Sequence, residues 1–555
     1  MAESQRWRIR ATVLVHALAV PLLAQAQMQE AEKPHLLDEE IASHLVERGA
    51  RIGRIEVVAE NVFDPSKPEE DKRLYKLANK VHVTTRENVL EEILLFEPGD
   101  VYDPELLLES ERAIRGRGSI ADTIIVPSAY NEETNTVDIL VTTWDSWSLS
   151  TNFSFGRSGG SNNSGIGFEE GNLFGTGTKV SFLHETDVDR DRTVFGFGNQ
   201  NLFGSWVRLD ADYASASDGS SRNLLLGRPF FSLDTKWSVD AAFKQDDRVD
   251  QIYDLGESVD AFKHQVNTTT IQGGWSEGLR GDSATRWLVG LTADEHTFQR
   301  APGFADPMLL PEDRRLVYPW AGFQLVGNDY RQFVELNDMG RIEDVQLGMS
   351  LLARVGYSSE SFGADRNALM LDFTGRKGWQ PSDEELLTLN FEASTRRETA
   401  GFTNTVFRTD ATYYRKLFES QMLMASADLV ATNGLDLDQQ VMLGGDSGLR
   451  GFPLRYQNGT SRALFRLEDR FFTDWYPLHL LRVGFAAFVD AGRTWGQDPR
   501  GTPNLGMLYD AGFGLRLSSP KASSGSVVHI DFAMPLNGDS SLSGLQVSVR
   551  TKASF

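Results

Sequence analysis

Two hydrophobic rhythms divide the chain. Between Ile52 and Thr143 short alternating runs are broken by helical spacing: Ile55, Val57 and Ala59 alternate with charged residues, whereas Val89, Leu90, Ile93 and Leu94 recur as one face of a helix does. Thr84 and Glu87 have the spacing of a capping box ahead of that helix. Asp103 as N-cap and Pro104 at the first helical position predict a second helix through Leu107 and Ile114, closed by Gly116 and Gly118. Two further strands, around Ile124–Val126 and over Thr136–Thr143, complete a β-α-α-β-β unit over 52–145.

After Asp145 the period falls to two and stays there. Trp147, Leu149, Thr151, Phe153 and Phe155 share one face, and Ser148, Ser150, Asn152 and Ser154 the other. The last segment repeats the pattern, with Leu545, Val547, Val549, Thr551, Ala553 and Phe555 opposed to Gln546, Ser548, Arg550, Lys552 and Ser554. Apolar-out, polar-in strands suit a membrane barrel, which must close because backbone facing lipid has no other hydrogen-bond partner. Asn172-Leu173-Phe174-Gly175 recurs as Asn201-Leu202-Phe203-Gly204, with Arg228-Pro229-Phe230-Phe231 at a similar interval, and these read as short turns. Polar stretches between them, such as 187–192 and 217–222, read as loops at the other rim. The amphipathic segments number up to twenty, and a domain and a terminal strand on the same side require an even count.

The first residues change the expected compartment. Arg6, Arg8 and Arg10 precede an apolar stretch from Ala11 to Leu23, and Ala24-Gln25-Ala26 fits a cleavage site, so 1–26 reads as a secretory signal and 27–51 as a polar lead-in. There are no cysteines, hence no disulfides or thiolate sites. With 50 Gly and 33 Phe but a mean hydropathy of -0.32, the chain has no run suited to a membrane helix. A net charge of -23 argues against nucleic acid as a partner.

Enzymatic strings lack their settings. Gly445-Asp446-Ser447-Gly448 and Gly156-Arg157-Ser158-Gly159-Gly160 resemble serine nucleophile motifs, but neither sits on a strand-to-helix elbow. The nine histidines show no metal-binding spacing, and Asp187, Asp189 and Asp191 run into Arg192 where a calcium loop needs glycine. Neither an enzyme nor a metal or cofactor site is expected. What stands out is Gly444–Phe452, where glycines surround an arginine that an outward loop tip does not need. A guanidinium in a partly dewatered lumen needs carboxylates, and Glu468 and Asp490 lie on following strands. The phase of Phe485–Asp490 is imperfect, and an exposed Arg450 of little energetic value is the alternative.

Several motifs carry a resemblance. The β-α-α-β-β unit, with its Phe96–Asp100 turn and Glu109-Ser110-Glu111-Arg112, resembles a POTRA domain. Leu449-Arg450-Gly451-Phe452, then Phe465-Arg466-Leu467-Glu468, Phe488-Val489-Asp490-Ala491-Gly492 and Gly512-Phe513-Gly514-Leu515-Arg516, resemble in order the barrel motifs of the bacterial surface antigen and outer-membrane protein assembly factor family (BamA/TamA-like). The resemblance implies a single POTRA domain in the periplasm over 52–145 and a transmembrane antiparallel barrel over 146–555. That barrel would have sixteen strands, an inward loop over 433–460, and a terminal strand marked by Val549 and Phe555. Leu449–Phe452 would form a latch whose Arg450 pairs with Glu468 and Asp490. The implied function is to accept unfolded outer-membrane or secreted client proteins and insert or translocate them, in contact with outer-membrane lipid and with accessory periplasmic or lipoprotein partners. A two-partner-type secretion pore shares the Arg-Gly-Phe/Tyr loop but usually brings two such domains, and a passive channel or receptor on the same scaffold is a further alternative.

Overall fold

The computed structural model describes residues 39–301, 310–496, 505–522, 527–538, 542 and 544–552. The expected signal segment, most of the lead-in and Phe555 lie outside the described residues.

The N-terminal unit is a three-stranded sheet of order β1-β3-β2, from β1 (Arg51–Glu60), β2 (Ile120–Asn131) and β3 (Thr136–Asp145). Helices α1 (Glu39–Glu47), α2 (Arg73–Val81), α3 (Glu87–Glu91) and α4 (Pro104–Arg115) accompany it. Ile52, Leu90, Ile93, Phe96, Leu107, Ile114, Val137, Ile139 and Val141 form one buried core, joined by Leu45 of α1. Three helices, not two, lie between β1 and β2, so the order is not the expected β-α-α-β-β. The extra helix, α2, buries Tyr75 against Val62 and Phe63 in a small satellite core. Asp103 caps α4, accepting from the Glu105 N–H at 2.9 Å. The capping box at Thr84 does not form, and Arg86 takes the N-cap position of α3 without a side-chain bond. The competitor is Asp145, a buried carboxylate whose Oδ2 accepts from the N–H and hydroxyl of Thr85 at 2.8 and 3.2 Å and lies 2.9 Å from His82 Nε2. Satisfying that charge outweighs one helix cap.

From Leu149 the chain forms a closed antiparallel barrel of twenty strands, which returns through Gln546–Lys552 to Leu149–Ser158. The sixteen strands implied by resemblance are therefore corrected to twenty, the upper limit of the amphipathic count. On the outside Phe465, Leu467, Phe471, Phe485, Val489, Phe513 and Met534 are exposed, while Glu468, Arg470, Asp490, Arg516 and Asp531 on the same strands are buried facing inward. Such an exterior suits lipid and not water. Gln546–Lys552 pairs with Val527–Pro535 at seven positions, but at the seam with Leu149–Ser158 only Val549 opposite Arg157 is paired among the described residues.

The domain sits at one rim, called proximal here, and the repeated turns meet it. In each Asn-Leu-Phe-Gly turn the asparagine side chain accepts a backbone N–H five residues on, from Gly177 to Asn172 at 2.8 Å and from Trp206 to Asn201 at 2.6 Å. The first turn also accepts the Arg86 N–H at Gly175 O, at 3.0 Å. A hairpin between the barrel strands, Tyr330–Val334 with Ile342–Gln346, lies outside the barrel sheet, and its Asp344 receives Arg115 of α4 in two bonds of 2.8 and 3.0 Å. The Glu109–Arg112 run of α4 is used throughout. Glu109 accepts the Leu233 N–H at 2.8 Å, Ser110 accepts the Leu95 N–H at 3.0 Å, Glu111 accepts the Ile125 N–H at 2.8 Å, and Arg112 lies 4.4 Å from the Tyr330 ring.

Burial pushes the Glu109 carboxyl above its ordinary value of 4.5, with the Leu233 N–H and Arg112 opposing. Its stabilising contribution is therefore complete below that ordinary value and is lost as pH rises through the raised one. Glu109→Gln keeps the acceptor without the charge. It is expected to leave the domain docked and to flatten the pH dependence of protease cleavage between domain and barrel; an unaltered profile would contradict this.

Candidate functional site

The chain leaves strand Gln421–Asn433 at the distal rim and re-enters the sheet at Ser461–Phe472, and between them it folds back into the lumen. Val441–Leu443 pairs with Gln457–Gly459, and this short ladder carries the tip. Within the tip the N–H groups of Ser447 and Leu449 bond Gly444 O at 3.1 and 3.0 Å, and the Gly445 N–H bonds Pro453 O at 2.8 Å. Gly448 has φ +120, a conformation that side chains disfavour. A Cβ on Gly451 would lie 2.7 Å from that of Asp510 and 2.9 Å from Pro535 N, so only glycine lets the loop reach the wall.

That approach delivers Arg450 to the carboxylates. Its Nε and Nη2 donate to Asp490 Oδ2 and Oδ1 at 2.8 and 2.9 Å, and Nη1 donates to Glu468 Oε2 at 2.7 Å. Beneath the guanidinium lies the Phe488 ring, with its centroid 3.3 Å from Cζ. Arg450 is 5 % exposed, Glu468 3 % and Asp490 0 %. The network widens along the wall. Glu468 also accepts from Arg470 at 3.0 Å and Arg516 at 3.4 Å, Arg516 donates to Asp531 at 2.6 Å, and Asp510 accepts the Gly451 N–H at 3.0 Å. Guanidiniums thus separate the buried carboxylates Glu468, Asp490 and Asp531, as charges removed from water require, whereas Asp510 lies opposite Asp490 and is met by a backbone N–H.

Leu449 and Phe452, on either side, are fully buried with Leu443, Tyr456, Leu464 and Leu508. A second tie fastens the far side of the tip. Arg455 donates to Asp189 in two bonds of 2.8 and 2.7 Å and covers the Tyr253 ring at 4.2 Å, and the Tyr253 hydroxyl donates to Asp189 at 2.9 Å. The tip also touches the first hairpin, where the Ser158 hydroxyl donates to Gly445 O at 2.9 Å and the Leu454 N–H reaches Gly159 O at 3.4 Å. A cavity of 230 Å³ remains beside it, lined by Arg450, Arg466, Glu468, His529 and Arg550 among others.

The structure thus brings Leu449, Arg450, Gly451, Phe452, Glu468 and Asp490 together. Val549 stands apart at the seam. Sequence reading missed the inward Phe488, the parts played by Asp510 and Asp531, and the Arg455–Asp189 tie. A period-two count from Arg516 places Gly514, Gly512 and Asp510 on the same face, and that signal could have found Asp510; nothing local links Asp189 to Arg455. Ser158 and Ser447, from the nucleophile-like strings, bond backbone carbonyls of the loop.

Fold and site together define a twenty-stranded barrel with a lipid-suited exterior, a docked α/β domain and an inward loop fastened by buried charge. No protein-family model and no curated protein matches the sequence. Solved structures similar to the chain include the following three. BamA from Haemophilus ducreyi lacking POTRA domains 1-3 is 12% identical, with 90% of this chain and 85% of that chain covered and a TM-score of 0.40. CdiB from Acinetobacter baumannii is 13% identical, with 92% and 74% covered and a TM-score of 0.47. CdiB from Escherichia coli is 14% identical, with 91% and 76% covered and a TM-score of 0.46.

Proposed function

We propose that this is an outer-membrane assembly-type protein of the surface-antigen family. It accepts client polypeptides in the periplasm through the N-terminal domain, acting as a single POTRA domain, and inserts them at the outer membrane. The observation that carries this reading is the seam. Two strands joined at one described position leave backbone N–H and C=O groups that a client strand can pair with, and pairing is the state that lipid enforces. The domain fits the role, because its β1-β3-β2 order puts β1 and β2 at the sheet edges, where an extended segment can be added beyond the stretches already bonded, Ile52 to residues 99–100 and Ile125 to Glu111. Client folding supplies the driving force. Leu449–Phe452 acts as a latch holding the lumen while the seam works.

A second reading, a secretion pore, is favoured by barrel size. Twenty strands enclose a lumen wide enough for an extended chain once the loop withdraws. One experiment separates the two. The chain has no cysteine of its own, so Arg157→Cys with Val549→Cys, at paired positions, can lock the seam by oxidation. The expected result is loss of newly inserted outer-membrane proteins under oxidising conditions and recovery with reductant. If the locked barrel maintained the outer-membrane profile, insertion through the seam would be wrong; loss of one secreted protein on depletion would then favour the pore.

A further inference from the structure

A second constellation joins the root of the inward loop to the opposite part of the barrel. Strands Glu257–Arg280 and Ser283–Arg300 place His264 opposite Phe298 and Val266 opposite His296, so the two histidines are diagonal neighbours on one face. Both turn inward, and the Phe298 ring stacks on His264 at 4.4 Å. The loop brings Asp438, and one ligand atom from each of His264, His296 and Asp438 lies within 4.8 Å of the other two.

The outer nitrogen of each ring faces a carboxylate. His264 Nδ1 is 2.7 Å from Asp250 Oδ2, and His296 Nε2 is 3.2 Å from Asp294 Oδ2. A carboxylate holds the imidazole proton on the nitrogen it faces, the arrangement that orients histidines for metal binding. His264 Nε2 and His296 Nδ1 lie 2.8 Å apart, a contact that one shared proton or a bound cation in its place would hold, and Arg248 Nη2, 3.2 Å from His264 Nδ1, competes with Asp250 for that nitrogen. The surrounding charge agrees. Five carboxylates, Asp246, Asp250, Asp294, Asp436 and Asp438, outnumber the three guanidiniums of Arg248, Arg314 and Arg396 among them.

We propose that His264 Nε2, His296 Nδ1 and the Asp438 carboxylate form a binding site for a divalent transition metal of the zinc type, with water as fourth ligand and with Asp250 and Asp294 orienting the rings. Imidazole nitrogen selects against calcium and magnesium, which take oxygen. A tetrahedral zinc with Zn–N of about 2.0–2.1 Å keeps its nitrogens about 3.4 Å apart, so the rings part by roughly 0.6 Å on binding. Arg314 is the competing cation. It donates to both oxygens of Asp438 at 2.9 and 2.8 Å and lies 3.1 Å from His296 Nδ1, and on metal entry it turns toward Asp436, 3.7 Å from its Nη1.

The site lies toward the distal rim. Its two histidine strands have 24 and 18 residues, where about 9–11 cross a bilayer. At this level the outward positions are Lys263, Gln265 and Gln299, all exposed, whereas Ile271, Trp275, Trp287 and Leu291 mark the apolar band nearer the domain. Metal arriving from outside the cell surface would thus pin the root of the loop to the wall.

The test uses the full chain, folded in detergent, stripped with chelator and equilibrated with zinc chloride or, for spectroscopy, cobalt chloride. Expected are about one zinc retained per chain after gel filtration, and visible bands of tetrahedral cobalt. His264→Gln and His296→Gln should each weaken binding at least tenfold, and Asp250→Asn by about 10–100-fold. Arg314→Gln should bind more tightly. Asp438→Asn, which alters only the loop, should abolish any zinc protection of 434–460 from protease. Variants are scored only where heat-modifiable gel migration shows a folded barrel. Zinc retention by the unmodified chain no greater than that of the His264→Gln/His296→Gln double variant, with no tetrahedral cobalt spectrum, would overturn the proposal and leave a shared proton as the cation.

Discussion

Arg450→Ala is expected to destabilise the folded barrel by about 3–5 kcal/mol, the cost of breaking a buried ion pair by removing one partner. The loss falls unevenly. Glu468 keeps Arg470 at 3.0 Å and Arg516 at 3.4 Å, whereas Asp490, wholly buried, loses both of its short bonds. Asp490→Asn should therefore recover part of the loss in the Arg450→Ala background, although alone it weakens the site. Non-additivity of that kind reports direct coupling between the two residues. Arg450→Lys should fall between, because an ammonium cannot span both oxygens of Asp490 while also reaching Glu468 and lying flat on Phe488. The measurement is the temperature at which the compact, fast-migrating form on a semi-native gel is lost. Unchanged migration in Arg450→Ala would exclude a stabilising role for this arginine.

Phe452→Ala is the second large effect expected, and it has a different signature. The Phe452 ring is fully buried among Leu443, Leu449, Tyr456, Leu464 and Leu508. Truncating such an aromatic costs about 3–5 kcal/mol, from lost transfer energy and the cavity left behind. Three of those neighbours, Leu443, Leu449 and Tyr456, belong to the loop, so the penalty is charged mainly to docking of the tip. The expected result is rapid protease cleavage within 434–460 while heat-modifiable migration is largely retained. Phe452→Leu should cost much less, and cleavage no faster than in the unmodified chain would show that the collar does not hold the loop.

How far these features could be read beforehand depends on how local their causes are. Alternation in Phe465–Arg470 put Glu468 inward without ambiguity, because Phe465 and Leu467 face out on the same strand. In Phe485–Asp490 the rhythm failed for a physical reason. Phe488 is an inward apolar residue, and it is inward because it supports a guanidinium from a loop distant in sequence. The strand number was legible as an upper count, and resemblance pulled it down to sixteen. The missing cap at Thr84 has the same origin, for its competitor Asp145 lies sixty residues from Thr85. The histidine pair could not be read from spacing at all, since only the pairing of two long strands brings His264 to His296.

The contacts between the loop tip and the first hairpin have a mechanical meaning. Ser158 and Gly159 close the hairpin whose first strand forms one side of the seam, and Gly445 and Leu454, which they bond, belong to the tip that carries Arg450. Any displacement of the seam strand is therefore felt as strain on the tip. By reciprocity of coupled equilibria, whatever frees the tip makes the seam easier to part by the same free energy. On the proposed reading, a polypeptide engaging the seam from the membrane and one pressing on the tip from the lumen would each lower the cost of the other's entry.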